Sequence, residues 1–320
     1  MYNRLAALSV GLMLCFSGFA PTYAANSAPA CDLKRVAELE TKIEQNDFLI
    51  KVQLNDRDSW LNVATASPFS VISRKIADEL KLSKKEIESA DLYDGAGKTI
   101  SKFVSIKTVG LAGMKAENVQ FLIMGSAMTP PKPGEHDFEG GFGAEFLSAY
   151  DVELDLLHGK MALFSHDHCK GHVVYWTQDY VAIPFTVDDF LHISFPVTLD
   201  GKSMRAMLDT SSAPSRLSAQ VASRDFEFDP VTAGIKPDGD LGTPSDPRPY
   251  YKHRFSTLDI GGVVFRNTEL VIRQDRAARV ARESGNSVTP MIIGLHHLGR
   301  LRMIIAYSEK MLYVSAADAN

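Results

Sequence analysis

The chain repeats itself, and the repeat limits the available folds more than any other feature. VQLNDRDSWLNVATASPFSVISRKIADELKL at 52–82 returns as VTLDGKSMRAMLDTSSAPSRLSAQVASR at 197–224. Each copy opens with a short strand pattern and a turn, at Asn55-Asp56 or Asp200-Gly201. A second strand follows, then small residues, then a short helical segment; Val71, Ile72, Ile76 and Leu80 are its apolar positions in the first copy. Downstream, SIKTVGLAGMKAENVQFLIM at 105–124 matches STLDIGGVVFRNTELVIR at 256–273. GGFGAEFLSAYDVELDLLHGKMALFS at 140–165 matches MIIGLHHLGRLRMIIAYSEKMLYVS at 291–315. Asp209 falls opposite Ala64, 145 residues away, and Gly294 opposite Gly143, 151 away. Four matched blocks in one order, at near-constant offset, predict two similar lobes. A small β unit with an exposed edge gains by pairing with its twin. The expected fold is therefore mostly β and bilobed, with a cleft between pseudo-symmetric halves and few short helices.

Around this core the organisation reads as follows. MYNRLAALSVGLMLCFSGFAPTYAA carries Arg4, an apolar stretch from Leu5 to Phe19 and a small-residue site at Thr22-Tyr23-Ala24. That is the pattern of a secretory signal over 1–24, and it predicts export to the periplasm or medium with no membrane span after cleavage. An N-terminal arm over 25–48 follows, in which 32–45 reads as a short lead-in helix or as irregular chain beside a strand. The first lobe runs 49–165, a connector 166–193 and the second lobe 194–317. In an exported chain a Cys31–Cys169 disulfide is expected, two unpaired thiols being the alternative.

Of 320 residues, 45% are hydrophobic and 23% charged, and the formal net charge is −5. No basic footprint argues for nucleic acid. No Gly-x-Ser-x-Gly element supports a serine nucleophile. In the connector, His166, His168, Cys169 and His172 have zinc-ligand chemistry. His166 and His168 lie two apart beside a strand end, however, and Cys169 has its disulfide role, so no metal and no cofactor is assigned. The aromatic part of the connector is expected to form a strand between the lobes. Asp151 and Asp155 alternate with Val152, Leu154 and Leu156, which reads as the solvent face of a hairpin strand. Trp60 is expected in the core or between lobes. His296 and His297 open a predicted helix; they line the cleft floor, or at least one is on the surface, since neighbours on a helix diverge by about 100°.

These blocks resemble exported bacterial retropepsin-like aspartic proteases, in a tandem two-lobe form. The residues that carry the resemblance are Leu208-Asp209-Thr210-Ser211 with Leu217-Ser218, and the late elements Gly141-Phe142-Gly143 and Ile292-Ile293-Gly294. The YDVELDL hairpin at 150–156 is a frequent companion. The resemblance covers roughly 50–315, and it implies a pepsin- or retropepsin-like acid-protease fold. It also implies that Thr65 and Thr210 hydrogen-bond across the lobes, that Gly143 and Gly294 support the cleft, and that Tyr93, in LYDGAGKTIS, starts a flap unless it is an ordinary exposed β aromatic. In such enzymes each lobe gives one aspartate to a facing pair that shares a proton. Here only Asp209 survives; Ala64 stands at the other position, and Ala66 and Ser211 replace the motif glycines.

A lone carboxylate still serves as a general base, but the neutral acid that would stabilise the oxyanion is absent. The reading is an aspartic-protease-like protein with impaired catalysis and a cleft for a peptide or protein ligand, expected as a monomer with a dimer still open. Two alternatives stand beside it: an active endopeptidase using Asp209 with an unconventional partner, and a non-catalytic structural or interaction protein of the envelope.

Overall fold

A computed structural model describes residues 32–87, 92–93, 99–124, 137–240, 248–273 and 290–318. Its first lobe begins with the hairpin Asp47–Leu54 and Arg57–Ala64, and its second with Ile193–Leu199 and Lys202–Leu208. Both turn where the sequence allows left-handed backbone: φ is 54° at Asn55, 43° at Asp200 and 76° at Gly201. Such turns match the twist of paired strands.

The lobes then repeat one topology. The first sheet runs Thr41–Glu44, Asp47–Leu54, Arg57–Ala64, Gly140–Gly143, Val71–Ile72, Met114–Ile123, Lys102–Leu111, Lys84–Glu86. The second runs Thr186–Val187, Ile193–Leu199, Lys202–Leu208, Met291–Ile293, Arg216–Ser218, Val263–Arg273, Pro249–Ile260, Gly239–Asp240. In each, the late strand lies parallel to the strand before the central turn and antiparallel to the one after it. Each sheet curls so that its first hairpin also pairs with the long meander, at Gln53 with Gly110 and at Thr198 with Asp259. The curl encloses apolar side chains, among them Leu61, Ile72, Phe121 and Phe142 in one lobe and Leu208, Leu217, Phe255 and Ile293 in the other. The helix Arg74–Glu79 starts where the Ser73 hydroxyl accepts the Ile76 N–H. Its counterpart Ala219–Phe226 stops at Glu227, with φ at 56°.

A third sheet joins the halves. Its order is Arg35–Leu39, Lys160–Phe164, Asp151–Asp155, Leu301–Ala306, Met311–Ala316, Val181–Pro184. Each lobe contributes its terminal hairpin, and the two hairpins pair through Val152 with Ile305 and Leu154 with Met303.

This sheet overturns two expectations. Residues 32–45 form no helix: Arg35–Leu39 and Thr41–Glu44 are strands, with Ala37 and Leu39 buried against the sheet. Asp151 and Asp155 do not face solvent; they are 0% and 1% exposed, and the whole strand Asp151–Asp155 is buried. Strands pair on both its edges, and charged partners meet its acids. Arg302 binds Glu153 at 2.6 Å, Tyr175 donates to the same carboxylate at 2.6 Å, and His168 and Ser308 hold Asp151. The connector's aromatic part does supply a strand, Val181–Pro184 at the edge of this sheet, though Tyr175 and Trp176 lie outside any strand. Trp176 packs over Arg302 at 4.4 Å and donates to Ser315. Trp60 is half-buried, beneath the Lys42 ammonium at 4.7 Å. The Cys31–Cys169 bond is not among the described features, because Cys31 lies outside the described residues. The signal over 1–24 lies outside them too. No helix among the described residues is long and apolar enough to cross a membrane.

Candidate functional site

The two central turns meet through their threonines. The Thr65 N–H donates to Thr210 Oγ1 at 3.2 Å, and the Thr210 N–H to Thr65 Oγ1 at 3.1 Å. Each hydroxyl then donates to the carbonyl two residues before the opposite threonine: Thr210 Oγ1 to Val63 at 2.6 Å, Thr65 Oγ1 to Leu208 at 3.2 Å. Both side chains are buried, at 0% and 1% exposure. The exchange is reciprocal, so Ala64 and Asp209 occupy equivalent places, each between a bonded carbonyl and a bonded threonine.

The equivalence continues outward. Ser67 N–H returns to the Ala64 carbonyl and Ser212 N–H to that of Asp209. The Ser67 carbonyl accepts from Ala144 N–H and the Ser212 carbonyl from Leu295 N–H, each at 2.8 Å. Gly143 N–H donates to the Ser70 hydroxyl and Gly294 N–H to that of Ser215. Both glycines are there for close approach: a Cβ would stand 2.6 Å from the Phe69 carbonyl carbon at Gly143, and 2.4 Å from the Ser212 oxygen at Gly294.

The chemistry of the two turns differs. Asp209 is 6% exposed. Its Oδ1 accepts from the Ser211 N–H at 2.9 Å and the Ser211 hydroxyl at 2.6 Å. Its Oδ2 lies 3.8 Å from Nη2 of Arg216. Ser211 thus ties down the acid, and neither it nor Ala66 has a positive φ, so these turns form without the motif glycines. Ala64 brings only a methyl group, buried at 4% exposure.

Beneath each turn a different side chain closes the loop. In the first lobe Glu145 Oε1 accepts the Ser70 N–H at 2.5 Å, and its Oε2 has no partner among the described residues. Burial raises this carboxyl above its ordinary pKa. In the second lobe the Ser215 hydroxyl meets His297 Nδ1 at 2.7 Å, and His297 Nε2 meets Thr268 Oγ1 at 2.5 Å. The ring is satisfied in its neutral form, and burial lowers its pKa to about 4. His297 is buried and His296 exposed, so the pair divides between interior and surface. The Ser215–His297 contact has the residue types of a nucleophile and its base. Both side chains are enclosed, and Ser215 already accepts the Gly294 N–H, so it supports the turn.

Tyr93, the expected flap residue, lies in an antiparallel strand pair, Leu92–Tyr93 with Thr99–Ile100; its side chain is outside the described residues. In the connector, His168 has turned inward to Asp151 at 2.5 Å, with its other nitrogen on the Cys169 carbonyl. A cavity of about 330 Å³ opens elsewhere, between Phe48, Leu156, Pro214 and Leu295. Asp47 and His296 also line it, but it touches neither Asp209 nor the threonines, so the paired turns remain the candidate site. Sequence reasoning missed Arg216, Glu145 and the Ser215–His297–Thr268 chain. Only Arg216 left a visible signal, as a charged residue matched to Val71 of the other copy.

No protein-family model matches the chain, and no curated protein matches it. Solved structures do. Basic 7S globulin from soybean aligns over 90% of this chain and 98% of its own, with 10% identity and a TM-score of 0.51. The aspartic proteinase from Irpex lacteus aligns over 88% and 97%, with 11% identity and a TM-score of 0.50. A retropepsin-like aspartic protease from Rickettsia conorii covers 45% of this chain at a TM-score of 0.30, too low to bear on the fold. At such identities the likeness is one of fold. It is a two-lobed, pseudo-symmetric, pepsin-like acid-protease architecture, and it corrects the retropepsin-like affiliation read from the sequence. The physical reason is the joining sheet: both lobes lie in one chain and share six strands, so the chain matches two-lobed structures along nearly its whole length.

Proposed function

We propose that the chain is an aspartic-protease-like protein of impaired catalytic power whose cleft binds an extended peptide. One observation supports the reading: the reciprocal threonine bonds make Ala64 the counterpart of Asp209 in the other turn. A dyad needs two carboxyls close enough to share a proton, one ionised to activate water and one neutral to donate to the developing oxyanion. A methyl group does neither. The architecture that would align a ligand is retained in both turns and both late glycines. The signal-like segment at 1–24 supports action outside the cytoplasm, in the periplasm or medium.

The test is cleavage of a mixed peptide library between pH 3 and pH 7. The wild-type chain is expected to cleave little, and inhibitors whose central hydroxyl is built for a carboxylate pair are expected to bind weakly. Ala64→Asp alone is expected to restore little, because Ser211 still holds Asp209 Oδ1 with two donors. Adding Ala66→Gly and Ser211→Gly is expected to restore more. Robust wild-type cleavage, lost in Asp209→Asn, would overturn the proposal in favour of an active endopeptidase. That alternative draws on one observation, the survival of Asp209 in a defined and partly screened position. Failure to bind any peptide would favour a structural or interaction role in the envelope.

A further inference from the structure

Arg216 is the residue that the paired-turn arrangement leaves unexplained. Its position is equivalent to Val71: both follow a central turn, and both pair with the late strand on one side and the long meander on the other. An apolar residue there needs no partner. Arg216 places a guanidinium whose side chain is only 18% exposed beside the surviving acid. Among the described residues it makes no hydrogen bond. Its Nε is wholly buried and unpartnered, and its Nη2 lies 3.8 Å from Asp209 Oδ2, beyond hydrogen-bond reach. A largely buried cation with unmet donors is costly until something accepts from them.

The acceptor is not Asp209, whose engaged oxygen is Oδ1, held by Ser211. The nearby carboxylate does compensate the charge of Arg216. A second anion would set two negative groups against one cation, whereas a neutral carbonyl fills the donors and adds no charge. Guanidinium presents its N–H groups as a planar fork, suited to fixing such an oxygen in one orientation.

We propose that Arg216 anchors the cleft's ligand by donating to a backbone carbonyl of an extended, uncharged peptide segment. This rests on the peptide-binding reading above and names the group that does the recognising. It also makes the cleft one-sided: the second lobe grips the ligand backbone, and the equivalent place in the first lobe offers only Val71.

The experiment uses fluorescent, N-acetylated octapeptides in three sets: C-amidated and uncharged, C-amidated with one acidic side chain, and otherwise uncharged with a free C-terminal carboxylate. Affinities are measured by anisotropy for the wild type, Arg216→Met and Arg216→Lys, with thermal melts to check folding. Uncharged peptides are expected to bind the wild type, to lose about 10- to 100-fold in Arg216→Met, and to recover part of that in Arg216→Lys. Replacing each amide of the best peptide by an alkene should identify one carbonyl whose removal weakens wild-type binding and leaves Arg216→Met unaffected. If Arg216→Met does not fold, the alkene series on the wild type and Arg216→Lys still decides. Equal affinity of wild type and Arg216→Met for uncharged peptides overturns the anchor and leaves the peptide cleft standing. A preference for either carboxylate-bearing set that disappears in Arg216→Met overturns the neutral acceptor. No wild-type binding to any set overturns both readings.

Discussion

At the first turn a valine carbonyl, an alanine and a threonine lead into Ala66 and Ser67; at the second a leucine carbonyl, an aspartate and a threonine lead into Ser211 and Ser212. The backbone exchanges around the two are nearly superimposable, from the threonine cross-bonds to the carbonyls that receive Ala144 and Leu295. The hydroxyls that bind backbone are kept, at Thr65 and Thr210 and at Ser70 and Ser215, while the charged and ring side chains differ. Ala64 faces the place of Asp209, Val71 that of Arg216, Glu145 that of His296, and Phe146 that of His297. The contrast teaches that the requirements for joining two lobes and for reacting on a ligand are separable. The first lies in backbone groups and two hydroxyls, and it holds alike around Ala64 and around Asp209.

The largest expected effect comes from breaking what the turns share. Thr210→Val leaves the buried Thr65 N–H and Val63 C=O without partners, at about 1–3 kcal/mol each, so a loss of about 2–5 kcal/mol is expected in urea unfolding. Thr65→Val should cost a similar amount, and the double variant less than the sum, because the two residues form one network. A large loss for one threonine and almost none for the other would break the claimed equivalence.

The second effect sharpens a difference between the lobes. Phe146 stacks on Phe142 at 4.8 Å, whereas His297 is held neutral between Ser215 and Thr268. In the unfolded chain this histidine takes its proton near pH 6.5, and in the folded chain near 4. Between those values the unfolded state binds more protons, so stability falls as the pH drops through the window, by up to about 3 kcal/mol, and the term is constant above it. Urea midpoints from pH 4.5 to 7.5 should show this slope in the wild type and a shallower one in His297→Asn. Parallel slopes would remove His297 from the account. His168 should act in the opposite sense. Burial disfavours its charge, yet Asp151 and the Cys169 carbonyl outweigh burial and raise its pKa, so its contribution is present below pH 6.5 and is lost as the pH rises through the raised value.

The smallest effect belongs to the first lobe. Glu145→Gln keeps a carbonyl oxygen for the Ser70 N–H and removes a carboxylate whose charged form burial disfavours. A raised carboxyl pKa in the folded state weakens stability as the pH climbs past about 4.5. The variant is therefore expected to be unchanged or more stable by under about 1 kcal/mol at pH 7, with no gain near pH 4. Thermal melts at the two pH values measure it.

Much of this was legible beforehand. The hairpin turns at Asn55 and Asp200, the strand–turn–helix after Ala64 and Asp209, and the late glycines all follow from short-range patterns, and each lies where the repeat set it. The interior of the joining sheet was not legible. DVELD alternates as a half-exposed strand does, and nothing local announces that Arg302, Tyr175, His168 and Ser308 come from 17 to 157 residues away to receive its acids. Arg216 shows in the sequence only as a charge matched to Val71, and nothing local sets it beside Asp209.

By itself, then, the sequence determined two β lobes of equal topology, the turn at which each offers its threonine, and the pairing of Ala64 in one repeat with Asp209 in the other. These depend on side-chain period, turn residues and internal repetition, all of which operate over a few neighbours. Only the tertiary structure decided that the lobes share a six-stranded sheet, that an acidic strand runs through its interior, and that a guanidinium stands 3.8 Å from the Asp209 carboxylate with its Nε unpaired. The physical reason is that burial and charge pairing belong to whatever covers a residue, and in this chain the covering groups are distant in sequence.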